Sequence, residues 1–94
     1  MKRLIWTPKF QKASKKLLNK NPELTEIFKQ KIIQIEENPF NPILKTHKLR
    51  GNLKGFYSCS INYIYRIVFE LTIDLNTKEE IIVLLNIGSH DEVY

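Results

Sequence analysis

Phe56-Tyr57-Ser58-Cys59-Ser60-Ile61, then Asn62, then Tyr63-Ile64-Tyr65-Arg66-Ile67-Val68-Phe69-Glu70-Leu71-Thr72, reads as a β-hairpin. Both runs are dense in Tyr, Ile, Val and Phe, which suit a pleated, half-buried surface, and Asn62 with its neighbours supplies a tight turn. Downstream, Asp74-Leu75-Asn76-Thr77-Lys78-Glu79 is polar turn material, and Ile81–Ile87 is an unbroken apolar run bounded by Gly88. Such a run predicts a central strand covered on both faces. Ser89-His90-Asp91-Glu92-Val93-Tyr94 follows as a short tail.

Upstream, between Pro39 and Gly55, two prolines and two glycines interrupt any periodicity, so a long loop is expected, with a short strand near Leu44–Leu49. Loops of that length in a small domain tend to be functional. Before it lie two helical patterns. Thr7-Pro8 is a helix start, Thr as cap and Pro at the first helical position, and Phe10, Ala13, Leu17 and Leu18 fall on one face to about Asn19. Lys9, Lys12, Lys15, Lys16 and Lys20 populate the rest. Asn21-Pro22 restarts the pattern, with Leu24, Ile27, Phe28, Ile32 and Ile35 at helical spacing until Asn38-Pro39 stops it. Leu4-Ile5-Trp6 reads as a first strand.

The order β-α-α-(β)-β-β-β predicts an α+β fold: an N-terminal strand and an αα-hairpin packed on one face of a small, mainly antiparallel twisted sheet. The opposite face is then solvent or a site. At 94 residues and 43% apolar composition the chain holds one core, so residues 1–94 are read as a single domain.

A lone cysteine, Cys59, excludes an internal disulfide, and with two histidines it does not make a structural zinc site. No run approaches the roughly 18 apolar residues of a membrane span. The start, Met1-Lys2-Arg3-Leu4-Ile5-Trp6, meets Pro8 before a signal-peptide core can develop. A reducing, cytoplasmic setting without membrane partners is expected. The net charge of +5 is unevenly spread: residues 1–66 carry fourteen Lys/Arg against four acids, and residues 67–94 carry one against six. That asymmetry points to a polyanionic partner, of which nucleic acid is the commonest.

From Lys45 to Arg66 the chain carries Lys45, Lys48, Arg50, Lys54 and Arg66 without one acid, interleaved with Phe56, Tyr57, Tyr63 and Tyr65. Cations for phosphates and aromatic faces for unstacked bases are what single-stranded RNA recognition needs. The plainer reading is a basic loop followed by ordinary strand aromatics. His47 and His90 are the only side chains whose unperturbed pKa, about 6.5, suits proton transfer near neutrality. Cleaving RNA without a metal needs a base for the 2′-hydroxyl, an acid for the leaving 5′-oxygen and cations around the phosphorane. Dinucleotide-binding, P-loop, zinc-protease and nucleophilic-serine motifs are all missing from the sequence, and Asp91 and Glu92 beside His90 have no further carboxylates near them in sequence to make a metal site.

Three segments resemble one known group: His47 to Ser60 with its His-x-Leu-x-Gly-x-x-x-Gly spacing, Tyr65-Arg66-Ile67-Val68-Phe69, and Asn86 to Tyr94 with its Gly-Ser-His-x-x-Val-Tyr ending. Together they resemble the YafQ-like branch of the RelE/ParE toxin superfamily, over essentially the whole chain. The resemblance implies a toxin of a type II toxin–antitoxin system, a ribosome-dependent endoribonuclease that cuts messenger RNA in the 30S A site without a metal or cofactor. It implies catalytic roles for His47 in acid–base chemistry, His90 as general acid, Arg66 against the scissile phosphate and Tyr94 on the substrate. Lys45, Lys48, Arg50, Lys54 and Tyr65 would then bind RNA. The partners it implies are a cognate antitoxin, messenger RNA on the ribosome and, through the antitoxin alone, operator DNA.

The chain departs from that branch at two points. Ser60 stands where a further histidine is usual, and no acid follows before Glu70. A larger share of proton transfer and charge stabilisation would fall on Arg66 and the lysines. Two other readings use the same fold: a ParE-like, non-enzymatic inhibitor of DNA gyrase, which does not need His90, and a decayed module that only binds its antitoxin.

Overall fold

A computed structural model describes residues 2–94, and Met1 of the expected domain lies outside the described residues. The chain runs β1 (Arg3–Trp6), α1 (Pro8–Lys20), α2 (Thr25–Glu37), β2 (His47–Lys48), β3 (Tyr57–Ser60), β4 (Tyr65–Ile73), β5 (Glu80–Ser89) and α3 (His90–Val93). Single 3-10 turns sit at Pro22–Leu24, Pro42–Leu44 and Gly51–Leu53. The strands form one sheet in the order β1-β5-β4-β3-β2, with β1 parallel to β5 and every other pair antiparallel. This is the α+β architecture expected.

The helix starts follow from local chemistry. Thr7 Oγ1 accepts the Phe10 N–H at 3.1 Å, capping α1, and donates to the Leu84 carbonyl at 2.7 Å, which fixes the helix entry to β5. Phe10, fully buried, meets Trp6 edge-on at 5.1 Å and stacks with Phe28 of α2 at 6.3 Å. The two helices therefore cover one face of the sheet. Under them lie Cys59, Ile67, Phe69, Ile82, Leu84 and Ile87.

The run 81–87 conceals a change of phase. Val68 pairs with Asn86 but Phe69 with Leu84, which leaves Leu85 as an extra residue in β5. This bulge is why Ile82, Leu84 and Ile87, at spacings of two and then three, all face the helices. The expectation of a doubly covered strand needs correction. The two long helices lie on one side only, and on the other Val83 and Leu85 stay half-buried, with a small roof formed by Leu53, Phe56 and Val93 of the short α3. Gly88, expected to end the strand, is inside it, opposite Arg66.

The loop from 39 to 55 is more ordered than expected. Its strand is only two residues long, and Lys45 takes a left-handed conformation, φ 52°, to close the 3-10 turn at Pro42–Leu44. A lysine there carries strain of about 1 kcal/mol.

Candidate functional site

Directly paired residues on neighbouring strands project from the same face. His47 pairs with Ser58 and Ser58 with Val68; one step along, Ser60 pairs with Arg66 and Arg66 with Gly88. His47, Ser58, Ser60 and Arg66 thus leave the sheet on the face away from the helices. Tyr57, Cys59 and Tyr65 leave it on the helix side, where burial pushes the Cys59 thiol up to about 12.

The C-terminal turn folds over the open face. It can do so because residue 88 is glycine: a Cβ there would lie 3.0 Å from the Glu92 Cβ and 3.3 Å from a Val93 methyl. Glu92 accepts the Ser89 N–H at 2.8 Å through Oε1, which holds its carboxyl below the usual carboxylate range and starts α3. Beyond α3, the Tyr94 hydroxyl donates to Ser58 Oγ, and the His90 ring meets the Tyr94 ring edge-on at 4.5 Å. A contact path therefore runs from His90 through Tyr94 to Ser58, the cross-strand neighbour of His47.

Both histidines are exposed. His47 Nδ1 faces the Lys45 carbonyl at 3.3 Å, and since a carbonyl only accepts, that contact puts the proton on Nδ1 and leaves the Nε2 lone pair open. His90 Nδ1 lies 3.5 Å from Asp91 Oδ1, so its Nε2 is likewise the free nitrogen. Beside His47 a depression of about 790 Å³ is lined by Lys48, Arg50, Lys54 and Phe56.

Two residues lie apart from this assembly. Arg66 bends over the β3–β4 turn, where its Nη1 donates to the carbonyls of Asn62 (3.0 Å), Tyr63 (3.2 Å) and Tyr65 (3.2 Å), and it lines a second depression together with Lys45. Tyr65 packs on the helix side beside Lys9, Lys16 and Lys20. Tyr57 stacks on Phe69 and meets Phe40 edge-on, which ties its ring into the core on the helix side.

Sequence reasoning passed over Ser58 and Lys31. The alternation of 56–61 already puts Ser58 and Ser60 on one face, but their partners are distant in sequence. Lys31 carried a clearer signal: it sits between Phe28 and Ile35 on the apolar stripe of α2, and only 8% of it is exposed.

The family model described as the bacterial toxin of type II toxin–antitoxin system, YafQ, matches residues 2–94. The chain belongs to the YafQ family of toxins. Among solved structures, a copper-bound variant of a toxin from Helicobacter pylori is 27% identical to this YafQ-family chain with a TM-score of 0.79, covering 100% of both chains. YafQ from E. coli strain BL21(DE3) shares the fold at a TM-score of 0.78 and 18% identity, over 100% of this chain and 99% of that one. The E. coli DinJ–YafQ toxin–antitoxin complex matches at 0.72 and 18% identity, over 99% and 97%. No curated protein sequence matches the chain. Among the described residues, no three His, Cys, Asp or Glu side chains are grouped to hold a metal ion, and no helix is long and apolar enough to cross a membrane.

Proposed function

We propose that this YafQ-family toxin is a metal-independent endoribonuclease that cuts messenger RNA in the ribosomal A site. The observation that carries the reading is the path His90–Tyr94–Ser58 beside His47, which puts both imidazoles at one open face next to a cationic depression. In the reaction His47 takes the proton of a 2′-hydroxyl through Nε2. The 2′-oxygen bonds to phosphorus, the bond from phosphorus to the 5′-oxygen breaks, and His90 returns a proton to that leaving oxygen. The products are a 2′,3′-cyclic phosphate and a 5′-hydroxyl. Tyr94 stacks on the substrate, while Arg66 and the loop cations Lys45, Lys48, Arg50 and Lys54 offset phosphate charge. Tyr65, on the helix side, is left out of RNA binding.

An antitoxin partner is part of the same proposal. The DinJ–YafQ complex is one in which a relative was solved with its antitoxin. An acidic antitoxin segment would be drawn to the same cations, masking the site, and operator DNA would be reached through that partner alone. The setting is the cytoplasm, where ribosomes are.

The test is primer extension on a reporter message in cell-free translation, with and without ribosomes, comparing the protein with His90→Ala. Ribosome-dependent cuts that fall roughly a hundredfold or more in the variant support the nuclease with His90 as its acid. An intact message with folded protein discards it, and growth arrest that persists in His90→Ala turns the reading to gyrase.

A further inference from the structure

Arg66 lies over the β3–β4 turn, and two lysines from separate elements meet it there. The depression it lines, about 400 Å³, is also lined by Lys31 of α2 and by Lys45, with Ser60, Asn62 and Tyr63 completing the wall. Lys31 and Arg66 thus come from α2 and from the sheet to line one depression. No carboxylate lines the depression, and no acid pairs with any of the three among the described residues.

This arrangement is costly without a ligand. Lys31 is a nearly buried residue with no acid at hand, and three cations in one depression repel each other. Lys45 adds backbone strain at the same spot. An anion seated among them would offset all three. Arg66 uses Nη1 on the turn carbonyls, which leaves its other N–H groups to an outside acceptor.

We propose that Lys31, Lys45 and Arg66 form a subsite for one backbone phosphate of a single-stranded RNA, removed from the phosphate being cut. The subsite lies beyond the row that carries His47 and Ser58, by at least one two-residue strand step, about 6.6 Å. That matches the spacing of neighbouring phosphates on an extended strand, and the cations Lys45, Lys48 and Arg50 continue from one depression to the other. Tyr63, 95% exposed at its rim, offers a ring to the attached base. The subsite rests on RNA being the ligand, as proposed above, but not on cleavage. It also reassigns Arg66 from the scissile phosphate to a flanking one.

The experiment is the salt dependence of binding to a 2′-O-methylated, uncleavable single-stranded oligonucleotide. Lys31→Met keeps the buried stem and drops the charge; it lowers the slope of log affinity against log salt by up to about 0.7, the value for one phosphate on a single strand. Lys45→Met, at an exposed position, does the same, and the loss in the double variant also stays within about 0.7 because both hold one phosphate. Lys31→Arg retains the slope, and Lys29→Met, on the exposed side of the same helix, leaves it unchanged. An unchanged slope in Lys31→Met, equal losses in Lys31→Met and Lys31→Arg, or additive losses of about 1.4 in the double variant would each overturn the subsite. Weakened binding confined to a glutamate-rich peptide would assign the cations to a protein partner instead. Failure of the unsubstituted protein to bind the oligonucleotide overturns the RNA reading along with it.

Discussion

Ser58 has no charge and no exposed surface, yet the position of the C-terminal turn depends on it. Its Oγ accepts from the Tyr94 hydroxyl, a contact between residues 36 apart in sequence. A hydrogen bond of this kind contributes about 1 kcal/mol net. Ser58→Ala and Tyr94→Phe should therefore each lower urea-unfolding stability by about 1 kcal/mol, and the double variant by no more than one of them, since both remove the same bond. Additive losses would show that the two side chains act separately. Both variants should also reduce RNA cleavage, by freeing the ring against which His90 rests. None of this was legible from residues 56–61 alone. Their alternation separates Ser58 and Ser60 from Tyr57, Cys59 and Ile61, but a face becomes a site only when the last residues fold back over it.

Among the elements, α3 is held by a glycine and a carboxylate. Gly88→Ala forces a Cβ to 3.0 Å from Glu92 Cβ, so α3 must lift or the strand must shift. A loss of about 1–3 kcal/mol and a larger loss of activity are expected, measured by unfolding and by cleavage of the same preparation. Glu92 adds a pH dependence. Its folded pKa is depressed by the Ser89 N–H, so its contribution is present above the unfolded carboxylate value and is lost as pH falls through the lower folded value. The His90–Tyr94 ring contact, followed by NMR, should loosen over that acid window, and Glu92→Gln should remove the dependence. The start of α1, the hairpin and the order of elements along the chain could be read from the sequence, because Thr7-Pro8 and Asn62 act on their immediate neighbours, whereas Asn21-Pro22 opens a 3-10 turn and α2 begins only at Thr25. Asn62 acts by accepting the Ile64 and Tyr65 N–H groups. The bulge at Leu85 could not be read, because a run apolar at every position carries no phase. Lys31 could have been read, as a charge at the core-facing spacing of an otherwise apolar stripe.

Across the whole molecule, four of the six acids of the last third are already occupied. Glu80 pairs with Lys2 at 2.9 Å and Glu79 with Arg3 at 3.5 Å, Asp74 accepts N–H groups within its own turn, and Glu92 caps α3. The charge asymmetry of the sequence therefore survives folding as a loop of uncompensated cations around the open face. Residues that neutralise one another lie at the β1–β5 edge.

Cys59 is the chain's only thiol, and it lies fully buried under the helices. With its folded pKa raised from 9.0 to about 12, stability should be intact below pH 9 and decline toward pH 12. Cys59→Ala should decline less over that range in equilibrium unfolding. At neutral pH the same burial makes the native protein silent toward maleimides. A cysteine introduced at Lys29 would then be the only one to react, so a single fluorophore could report how the toxin orients on whatever it grips, without removing any native residue.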